Sequence, residues 1–481
     1  MPFEGQLADC DAALFPSLSE REKWDDLLTR ALAKAHQRVQ SGSVTPTVEF
    51  EGFRRELAEF DFEAPGELGK ALSWVIARLE HGVVHLTHPR YFGLFNPSPT
   101  FPAECADRIA GLFNPQLATW TTSPVAVEIE AHVIASALRR LRFPESATGH
   151  FTTGGSEANY SALICALTRA DAKFASEGAR AFAGPPTFYV SRECHVAWFK
   201  IAHQAGIGRS AVRLIATDGT GRMDPAALRA SICADLDERR VPFMVVATAG
   251  TTNAGMIDPL HACADIARQF ALFYHVDAAW GGAVIASDLL RDALQGIERA
   301  DSVTIDAHKW FATTMGCGMF FIKHASLLSA TFQSSASYMP SNLANLDPYV
   351  TTLQWSRRFL GLRLFLSLAV AGWRGFGKHV ERSVALAELI ADRLKARGWT
   401  IANRSTLAVL CVEPPGAAQV AAIVKRVVAA GGAWISLATF EGRQVLRICV
   451  THGQTTLSDV ARLVDILDRE AHEESRGAEA L

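Results

Sequence analysis

The chain has 481 residues, of which 49% are hydrophobic and 20% are charged, and its formal net charge is −3. This composition is ordinary for a globular protein, and the length allows two or three domains with ample core. The balanced charge, without a long basic block, argues against nucleic acid and membrane as partners. The nine cysteines are scattered without a CxxC pair, and no signal or membrane-spanning pattern is visible. We therefore expect buried thiols and a cytoplasmic protein.

The first 88 residues form the first predicted unit, an N-terminal helical segment. Apolar residues recur with helical spacing over 21–39, 51–60 and 67–80. Three amphipathic helices in a narrow arm bury too little surface to form a large core of their own. We expect this segment to pack on the body of the protein or on a second subunit.

Residues 89–375 form the second predicted unit, in which helices alternate with β-rich runs. The helices are predicted at 157–170, 225–235 and 259–270, and the strands at 187–190, 212–215, 243–248, 273–276, 303–305 and 318–322. This alternation is typical of an α/β fold with a mostly parallel central sheet and helices on both faces. In such a sheet, functional loops follow the carboxyl ends of the strands. An irregular segment, 332–355, is long enough to be a lid or an active-site loop.

The third predicted unit, residues 376–481, is a small C-terminal α+β domain. Helical stretches at 359–373 and 379–397 lead into it. Its strands are predicted at 407–412 and 445–450, and its helices at 417–430 and 456–472.

Two polar residues mark the strongest candidate site. Asp277 and Lys309 each follow an apolar strand of the predicted sheet. An amine and an acid at one rim of a parallel sheet are what pyridoxal 5′-phosphate (PLP) requires, because the amine forms a Schiff base and the acid pairs with the pyridinium nitrogen. Either residue alone would indicate little, since most lysines are solvated surface charges.

Three further motifs strengthen this interpretation. The turn Thr152-Thr-Gly-Gly-Ser-Glu-Ala-Asn159 leads into a helix, where free N–H groups and the helix dipole favour a phosphate, although an ordinary capped helix has the same pattern. His195 follows a strand and is able to stack on a ring, although a structural histidine is the default interpretation. Thr248 ends another strand among small residues, which permits close approach of a ligand or simply a tight turn.

Together these motifs resemble those of the group II PLP-dependent amino-acid decarboxylases, which include the aromatic-L-amino-acid, histidine and glutamate decarboxylases. The resemblance rests on Gly154-Gly-Ser-Glu-Ala-Asn159, His275-Val-Asp-Ala-Ala279 and Asp306-Ala-His-Lys-Trp310. It extends from residue 88 to 359 and more weakly to 450. It implies PLP fold type I, the aspartate-aminotransferase-like fold, and a homodimer whose active sites lie near the subunit interface.

The resemblance also implies roles for individual residues. Lys309 would bond to the cofactor, Asp277 would pair with the pyridinium nitrogen, and His195 and Ala279 would lie on the two faces of the ring. The phosphate would be held by Gly155, Ser156 and His308, with Thr248 near the ring hydroxyl. In the family that the chain resembles, a loop tyrosine donates a proton to Cα after carbon dioxide leaves. Tyr349 fits that position best, and Tyr338 is the alternative.

Substrate choice is less determined by the sequence. The resemblance indicates that segments 91–97 and 114–124 line the substrate pocket, which selects Phe95, Leu117, Ala118 and Trp120. Ala118 stands where aromatic-amino-acid decarboxylases have a Phe, but neither segment contains a basic residue that would bind an acidic side chain. An aromatic or other bulky apolar amino acid is favoured. Asp306 stands where the animal enzymes have an asparagine.

Other functions remain open at this point. Transamination and aldehyde-forming oxidative chemistry use the same cofactor, and Arg447 lies in the small domain, where aminotransferases bind the substrate carboxylate. A stacking histidine such as His195 favours a decarboxylase. A catalytically inactive scaffold is disfavoured by the intact set of site residues. No metal-ligand pattern is present.

Overall fold

A seven-stranded sheet forms the centre of the computed structural model, which describes residues 14–63, 66–333, 347–416 and 418–479. The strand order is β1-β7-β6-β5-β4-β2-β3. Strand β7 pairs antiparallel with both of its neighbours, and the remaining pairs are parallel. The predicted mostly parallel α/β sheet is therefore confirmed. The strands are β1 (Thr148–Thr152), β2 (Pro186–Ser191), β3 (Val212–Ile215), β4 (Val241–Thr248), β5 (Phe273–Asp277), β6 (Ser302–Asp306) and β7 (Gly318–Ile322).

Helices cover both faces of this sheet, which explains why its inner strands are continuous apolar runs. Strands β5, β6 and β7 are buried at every position. The helices up to residue 332 are α1 (Leu18–Ser41), α2 (Phe50–Ala58), α3 (Leu68–Gly82), α4 (Phe101–Phe113), α5 (Pro124–Arg140), α6 (Gly155–Ala170), α7 (Phe174–Glu177), α8 (Ala197–Gln204), α9 (Pro225–Asp237), α10 (Leu260–Gln269) and α11 (Ala325–Phe332).

The C-terminal part contains a second, four-stranded antiparallel sheet with the order β10-β11-β9-β8. Its strands are β8 (Thr400–Ile401), β9 (Val409–Glu413), β10 (Ser436–Phe440) and β11 (Arg443–Cys449), and its helices are α12 (Gly361–Lys395), α13 (Val420–Ala430) and α14 (Leu457–Glu479). The two stretches predicted at 359–373 and 379–397 form α12, which is interrupted at Gly372, where φ is +62°. The domain boundaries at 88/89 and 375/376 remain a prediction, and the second falls within α12.

The predicted N-terminal helices are present as α1, α2 and α3, but none of them has a buried residue. Large apolar side chains on them are exposed, among them Leu32, Phe50, Leu57, Val75 and Leu79. An amphipathic helix is stabilised mainly by burying its apolar face. The arm therefore leaves an apolar surface uncovered on the single chain.

Two further properties concern the whole described chain. Its eight described cysteines are free thiols. No helix within the described ranges is long and apolar enough to cross a membrane. The cytoplasmic location stays a prediction.

Buried histidines predict that the fold is sensitive to acid. Burial lowers the pKa of His275 and His379 to about 4 and that of His150 to about 3, so the folded chain keeps them neutral while the unfolded chain protonates below pH 6.5. Their stabilisation is present at neutral pH and is lost as the pH falls from 6.5 towards 4. Burial raises the pKa of Asp258 to about 6, which opposes this trend. We expect the free energy of unfolding to fall by about 4 kcal/mol between pH 7 and pH 5.

Urea unfolding of the cofactor-free protein at several pH values measures this loss. Neither ring nitrogen of His150 has a hydrogen-bond partner, so a His150→Phe variant is the matched control. We expect its free energy of unfolding to fall by only about 2 kcal/mol over the same pH range. A free energy that stays constant from pH 7 to pH 5 would contradict the prediction.

Candidate active site

A cavity of about 310 Å³ opens at the carboxyl ends of β4, β5 and β6. Ligand sites in open parallel sheets form at this edge. Nine of the residues predicted from the sequence line the cavity: Phe95, Gly155, Ser156, His195, Thr248, Asp277, Ala279, His308 and Lys309. The fold thus brings together residues that are separated by more than 200 positions in the chain.

The glycine-rich turn lies between β1 and α6, so the amino end of a 16-residue helix faces the cavity. A Cβ atom at Gly155 would lie 2.8 Å from an oxygen of Asp306 and 3.3 Å from Cβ of Ala279. Only glycine leaves the backbone in place at this point. Glu157 steadies the turn by accepting hydrogen bonds from the backbone N–H and the hydroxyl of Thr153, at 2.8 and 2.6 Å. A helix amino end of this kind favours a phosphate group.

Asp277 ends β5, and donors hold both of its carboxylate oxygens. Asn159 Nδ2 donates to Oδ2 at 2.8 Å, and the backbone N–H of Ala279 donates to Oδ1 at 3.1 Å. The carboxylate is 5% exposed and lines the cavity. Donors on both oxygens fix the orientation of the carboxylate. A buried carboxylate fixed in this way is suited to pair with a cationic ligand atom.

A buried chain of hydrogen bonds lies behind Asp277. Asn159 Oδ1 is 3.1 Å from Nε2 of His275, and Nδ1 of His275 is 2.8 Å from the Ser302 hydroxyl. Because the amide of Asn159 donates to Asp277, its oxygen must accept from His275. Nε2 of His275 therefore carries the hydrogen, and Nδ1 accepts from Ser302, since burial lowers the pKa of His275 to about 4. Each member of the chain points a donor towards Asp277.

The sequence did not single out Asn159 and His275, although both stand in quoted motifs. Their partners lie far away in sequence, so no local pattern predicts these contacts. The sequence does show that both are polar side chains within apolar elements, and this is the feature from which a buried network could have been predicted.

Removal of the Asn159 side chain tests this network. Asn159→Ala leaves the buried His275 N–H with only the more distant Thr304 hydroxyl, 3.5 Å from Nε2, as an acceptor and removes a donor to Asp277, so we expect the free energy of unfolding to fall by about 1–3 kcal/mol. Urea unfolding of the cofactor-free protein measures the change. Ser161→Ala on the same helix is the control, because that hydroxyl bonds only a carbonyl of its own helix. Equal stabilities of the two variants would contradict the role of Asn159.

Thr248 ends β4 and is fixed through its backbone. Its N–H donates to Oδ2 of Asp258 at 2.7 Å, while Oδ1 accepts from the N–H of Met223 at 2.7 Å. The hydroxyl oxygen of Thr248 is buried without a hydrogen-bond partner. A buried polar atom without a partner is costly. This hydroxyl is therefore available to a bound ligand.

His195 lines the cavity beside the start of α8. Its Nδ1 accepts from the backbone N–H of Ala197 at 3.2 Å, which fixes the ring. Burial lowers its pKa, and nearby Asp277 opposes the shift. The neutral ring is suited to lie against the face of an aromatic ligand.

Lys309 and Asp306 form an ion pair at the end of β6. Nζ of Lys309 is 2.9 Å from Oδ2 of Asp306, and the side chains are 20% and 3% exposed. Nε2 of His308 is 3.9 Å from the same oxygen. Burial lowers the pKa of His308, and Lys309 is the nearer partner of the Asp306 carboxylate. Asp306 was noticed in the sequence only as a departure from the family.

An aromatic column forms one wall of the site. Phe95 stacks on Trp280 at 4.4 Å, and Trp280 stacks on Trp310 at 4.6 Å. The guanidinium of Arg447 lies 4.6 Å from the Phe95 ring centroid. Arg447 is 3% exposed, donates from Nε to the carbonyl of Thr252 at 2.8 Å, and has an Nη2 without a partner. The wall combines an apolar surface with a buried cation.

Four predicted residues do not line the cavity of their own chain: Leu117, Ala118, Trp120 and Tyr349. They lie together elsewhere, because the N–H of Tyr349 donates to the carbonyl of Ala118 at 3.0 Å. The N–H of Trp120 likewise donates to Asp347 at 2.8 Å. Tyr349 is 8% exposed and packs against Trp355 at 4.6 Å. The alternative Tyr338 lies outside the described residues.

Comparisons with known proteins identify the family of the chain. The family model described as "Pyridoxal-dependent decarboxylase conserved domain" matches residues 58–412. Aromatic-L-amino-acid decarboxylase of Bacillus atrophaeus is 28% identical over 441 residues, covering 89% of this chain and 90% of the relative. Cysteine sulfinic acid decarboxylase of Mus musculus is 34% identical over 350 residues, covering 71% and 70%. A crystal structure of mouse CSAD has a TM-score of 0.89 at 27% identity, covering 95% and 99%.

The chain therefore belongs to the pyridoxal-dependent decarboxylases and has their fold type I architecture. It is a PLP-dependent amino-acid carboxy-lyase. The cavity fits this cofactor, since it offers a lysine, a buried carboxyl group, a helix amino end and the unpartnered hydroxyl of Thr248. The two relatives are named for different substrates, an aromatic amino acid and cysteine sulfinic acid.

Proposed function

We propose that this enzyme decarboxylates an L-amino acid with an aromatic or other bulky apolar side chain, giving the amine and carbon dioxide. The observation that carries the proposal is the single cavity in which Lys309, Asp277, His195 and the amino end of α6 meet. When bound, PLP supplies an electron sink for the carbon that loses its carboxylate.

The residues of the cavity have distinct roles in this proposal. Lys309 would bond to the cofactor, and the Asp277 carboxylate would keep a proton on the pyridine nitrogen. His195 and Ala279 would hold the ring between them, and Thr248 would donate to the ring hydroxyl. The remaining contacts serve the phosphate and come from Gly155, Ser156 and His308.

The wall of the cavity supports the substrate class. Phe95 and Trp280 present an aromatic surface next to Lys309, whose Nζ is 5.9 Å from the Phe95 centroid. Arg447 is a buried cation beside that surface and is suited to bind the substrate's α-carboxylate. An acidic side chain would need a second cation, and segments 91–97 and 114–124 contain no basic residue. Burying a carboxylate without a partner is costly.

The predicted homodimer explains the position of the remaining residues. The uncovered apolar faces of α1–α3 are suited to pack on a second subunit. We infer that Leu117, Ala118 and Trp120 face the cavity of the partner, and that the partner subunit's Tyr349 donates the proton to Cα. Each active site would then contain residues of both chains.

Hybrid dimers test this sharing. Lys309→Ala and Tyr349→Phe chains, each inactive alone, are refolded together with different purification tags. If Tyr349 acts across the interface, the hybrid holds one intact site of two, and we expect about half of the wild-type turnover per dimer, by counting sites. The control is a hybrid of tagged and untagged Lys309→Ala chains. An inactive hybrid would show that Tyr349 acts within its own chain.

A substrate comparison tests the proposed specificity. kcat/KM is measured with PLP-loaded enzyme for phenylalanine, tyrosine, tryptophan and DOPA, and for aspartate, glutamate, cysteine sulfinic acid and 2,4-diaminobutyrate. We expect kcat/KM for at least one amino acid of the first group to be about tenfold or more above that for every member of the second group. The reason is that the charged side chains of the second group would be buried without a partner. A preference for an acidic substrate would overturn the proposed class. Release of an aldehyde or a keto acid would show that the reaction is not decarboxylation to the amine.

A further inference from the structure

Asp306 places a carboxylate beside Lys309 that the proposed reaction does not yet use. It is held in place by its backbone, because its N–H donates to the carbonyl of Ala279 at 2.9 Å. Two glycines enclose the carboxylate. A Cβ at Gly155 would lie 2.8 Å from Oδ2, and one at Gly318 would lie 2.8 Å from Oδ1. Any residue other than glycine at either position would crowd the carboxylate.

The carboxylate has unused capacity to accept hydrogen bonds. Oδ1 is buried without a partner, and Oδ2 contacts Nζ of Lys309 at 2.9 Å. The other titratable group near it is His308, which burial keeps neutral by lowering its pKa. Asp277 and His195 line the same cavity, and Asp277 is already held by its own two donors. The ammonium form of Lys309 is thus the natural partner of Asp306.

We propose that Asp306 is the counter-ion that holds Lys309 whenever the lysine is not bonded to the cofactor. The inference rests on the proposed role of Lys309. In the exchange, the substrate amine forms its bond to the cofactor carbon and the bond from that carbon to Nζ breaks. The substrate enters as an ammonium and gives up two protons, and Nζ leaves carrying both in addition to its own. The resulting ammonium pairs with Asp306.

This pairing has a thermodynamic consequence of definite sign. It stabilises the states in which Lys309 is free, which are the cofactor-free enzyme and the enzyme with substrate on the cofactor. It therefore opposes capture of PLP and favours displacement of Lys309 by an incoming amine. A residue that merely shapes the cavity would weaken cofactor binding when replaced. Loss of the counter-ion should instead strengthen cofactor binding.

Asp306→Asn keeps the size of the side chain and removes the charge. The dissociation constant of PLP is measured by titrating cofactor-free protein, and we expect it to fall about fivefold, the effect of one partly exposed ion pair. Displacement of Lys309 is measured by adding methylamine and then borohydride, which fixes to the protein only the cofactor that is still bonded to Lys309. The mass of the intact protein gives the fraction that carries the cofactor. Half-displacement should require about fivefold more methylamine than in the wild type. Asp306→Ser should shift both quantities in the same directions if Asp306→Asn does not fold.

Asp237→Asn is the control for the change of charge, because Asp237 is an exposed residue of α9. This variant should change neither the dissociation constant of PLP nor the methylamine concentration at half-displacement. Weaker PLP binding by Asp306→Asn, or an unchanged methylamine midpoint, would overturn the role of Asp306 and leave Lys309 untouched. Lys309→Ala separates the two proposals. Borohydride should fix no cofactor to that variant, and fixation at another lysine would overturn the assignment of Lys309 and this inference with it.

Discussion

Replacement of Asp277 by asparagine is expected to lower kcat by about 10²–10³-fold, the loss typical of removing one preorganised electrostatic partner from a site that excludes water. The amide has the same shape, but its single oxygen accepts from only one of the two donors, Asn159 and Ala279, which bind separate oxygens of Asp277. What is lost is the negative charge that would keep the pyridine nitrogen protonated. The change should be larger in kcat than in KM. The reason is that the negative charge helps the cofactor to accept the electrons released when the carboxylate leaves, and does not contribute to substrate binding.

Steady-state kinetics with PLP-saturated enzyme measure this change. Asp237→Asn again serves as the control, because it removes an exposed charge that does not line the cavity. A normal kcat for Asp277→Asn would show that the pyridine nitrogen does not depend on this carboxylate.

Replacement of Tyr349 by phenylalanine is the second change with a large expected effect. If Tyr349 donates the proton to Cα, formation of the amine should fall by about 10²–10⁴-fold, the usual contribution of a general acid. Binding of PLP should be unchanged, because Tyr349 is not among the residues proposed to hold the cofactor. Chromatographic detection of the amine and absorbance of the bound cofactor measure the two quantities. Any aldehyde should make up a larger share of the products, because the unprotonated carbon becomes available to oxygen.

Tyr338→Phe is the matched comparison, since Tyr338 is the other tyrosine of the irregular segment 332–355. Loss of amine formation in Tyr338→Phe together with normal turnover in Tyr349→Phe would reverse the assignment of the proton donor.

Local patterns in the sequence predicted the large sheet because its strands are short apolar runs that end in polar residues. β7 was predicted with its observed bounds, and β5 and β6 to within one residue at each end. β1 was missed. Its sequence, Thr148-Gly-His-Phe-Thr152, contains one large apolar residue, and it is a strand because it pairs with β7. Gly149 permits that pairing, since a Cβ there would lie 2.2 Å from the Phe320 carbonyl oxygen.

The residues of the cavity were predictable where one motif contained the chemistry, as in Asp277 and Lys309. The interactions between motifs were not. Asn159 is 118 residues from Asp277, and the contact exists because α6 packs across the sheet. The ion pair of Asp306 with Lys309 depends on side-chain directions at the end of β6 that spacing alone does not fix. Tyr349 was placed in the site by resemblance, and a single chain does not bring it there.

The most direct measurement is the reaction carried out in D₂O with PLP-loaded enzyme and its best amino-acid substrate, followed by mass spectrometry of the product. The proposed function predicts an amine lighter than the substrate by one carbon dioxide and carrying one deuterium on the carbon that lost the carboxylate. A product that retains the carboxylate as a keto acid, or an aldehyde that has lost the amino group, would contradict it.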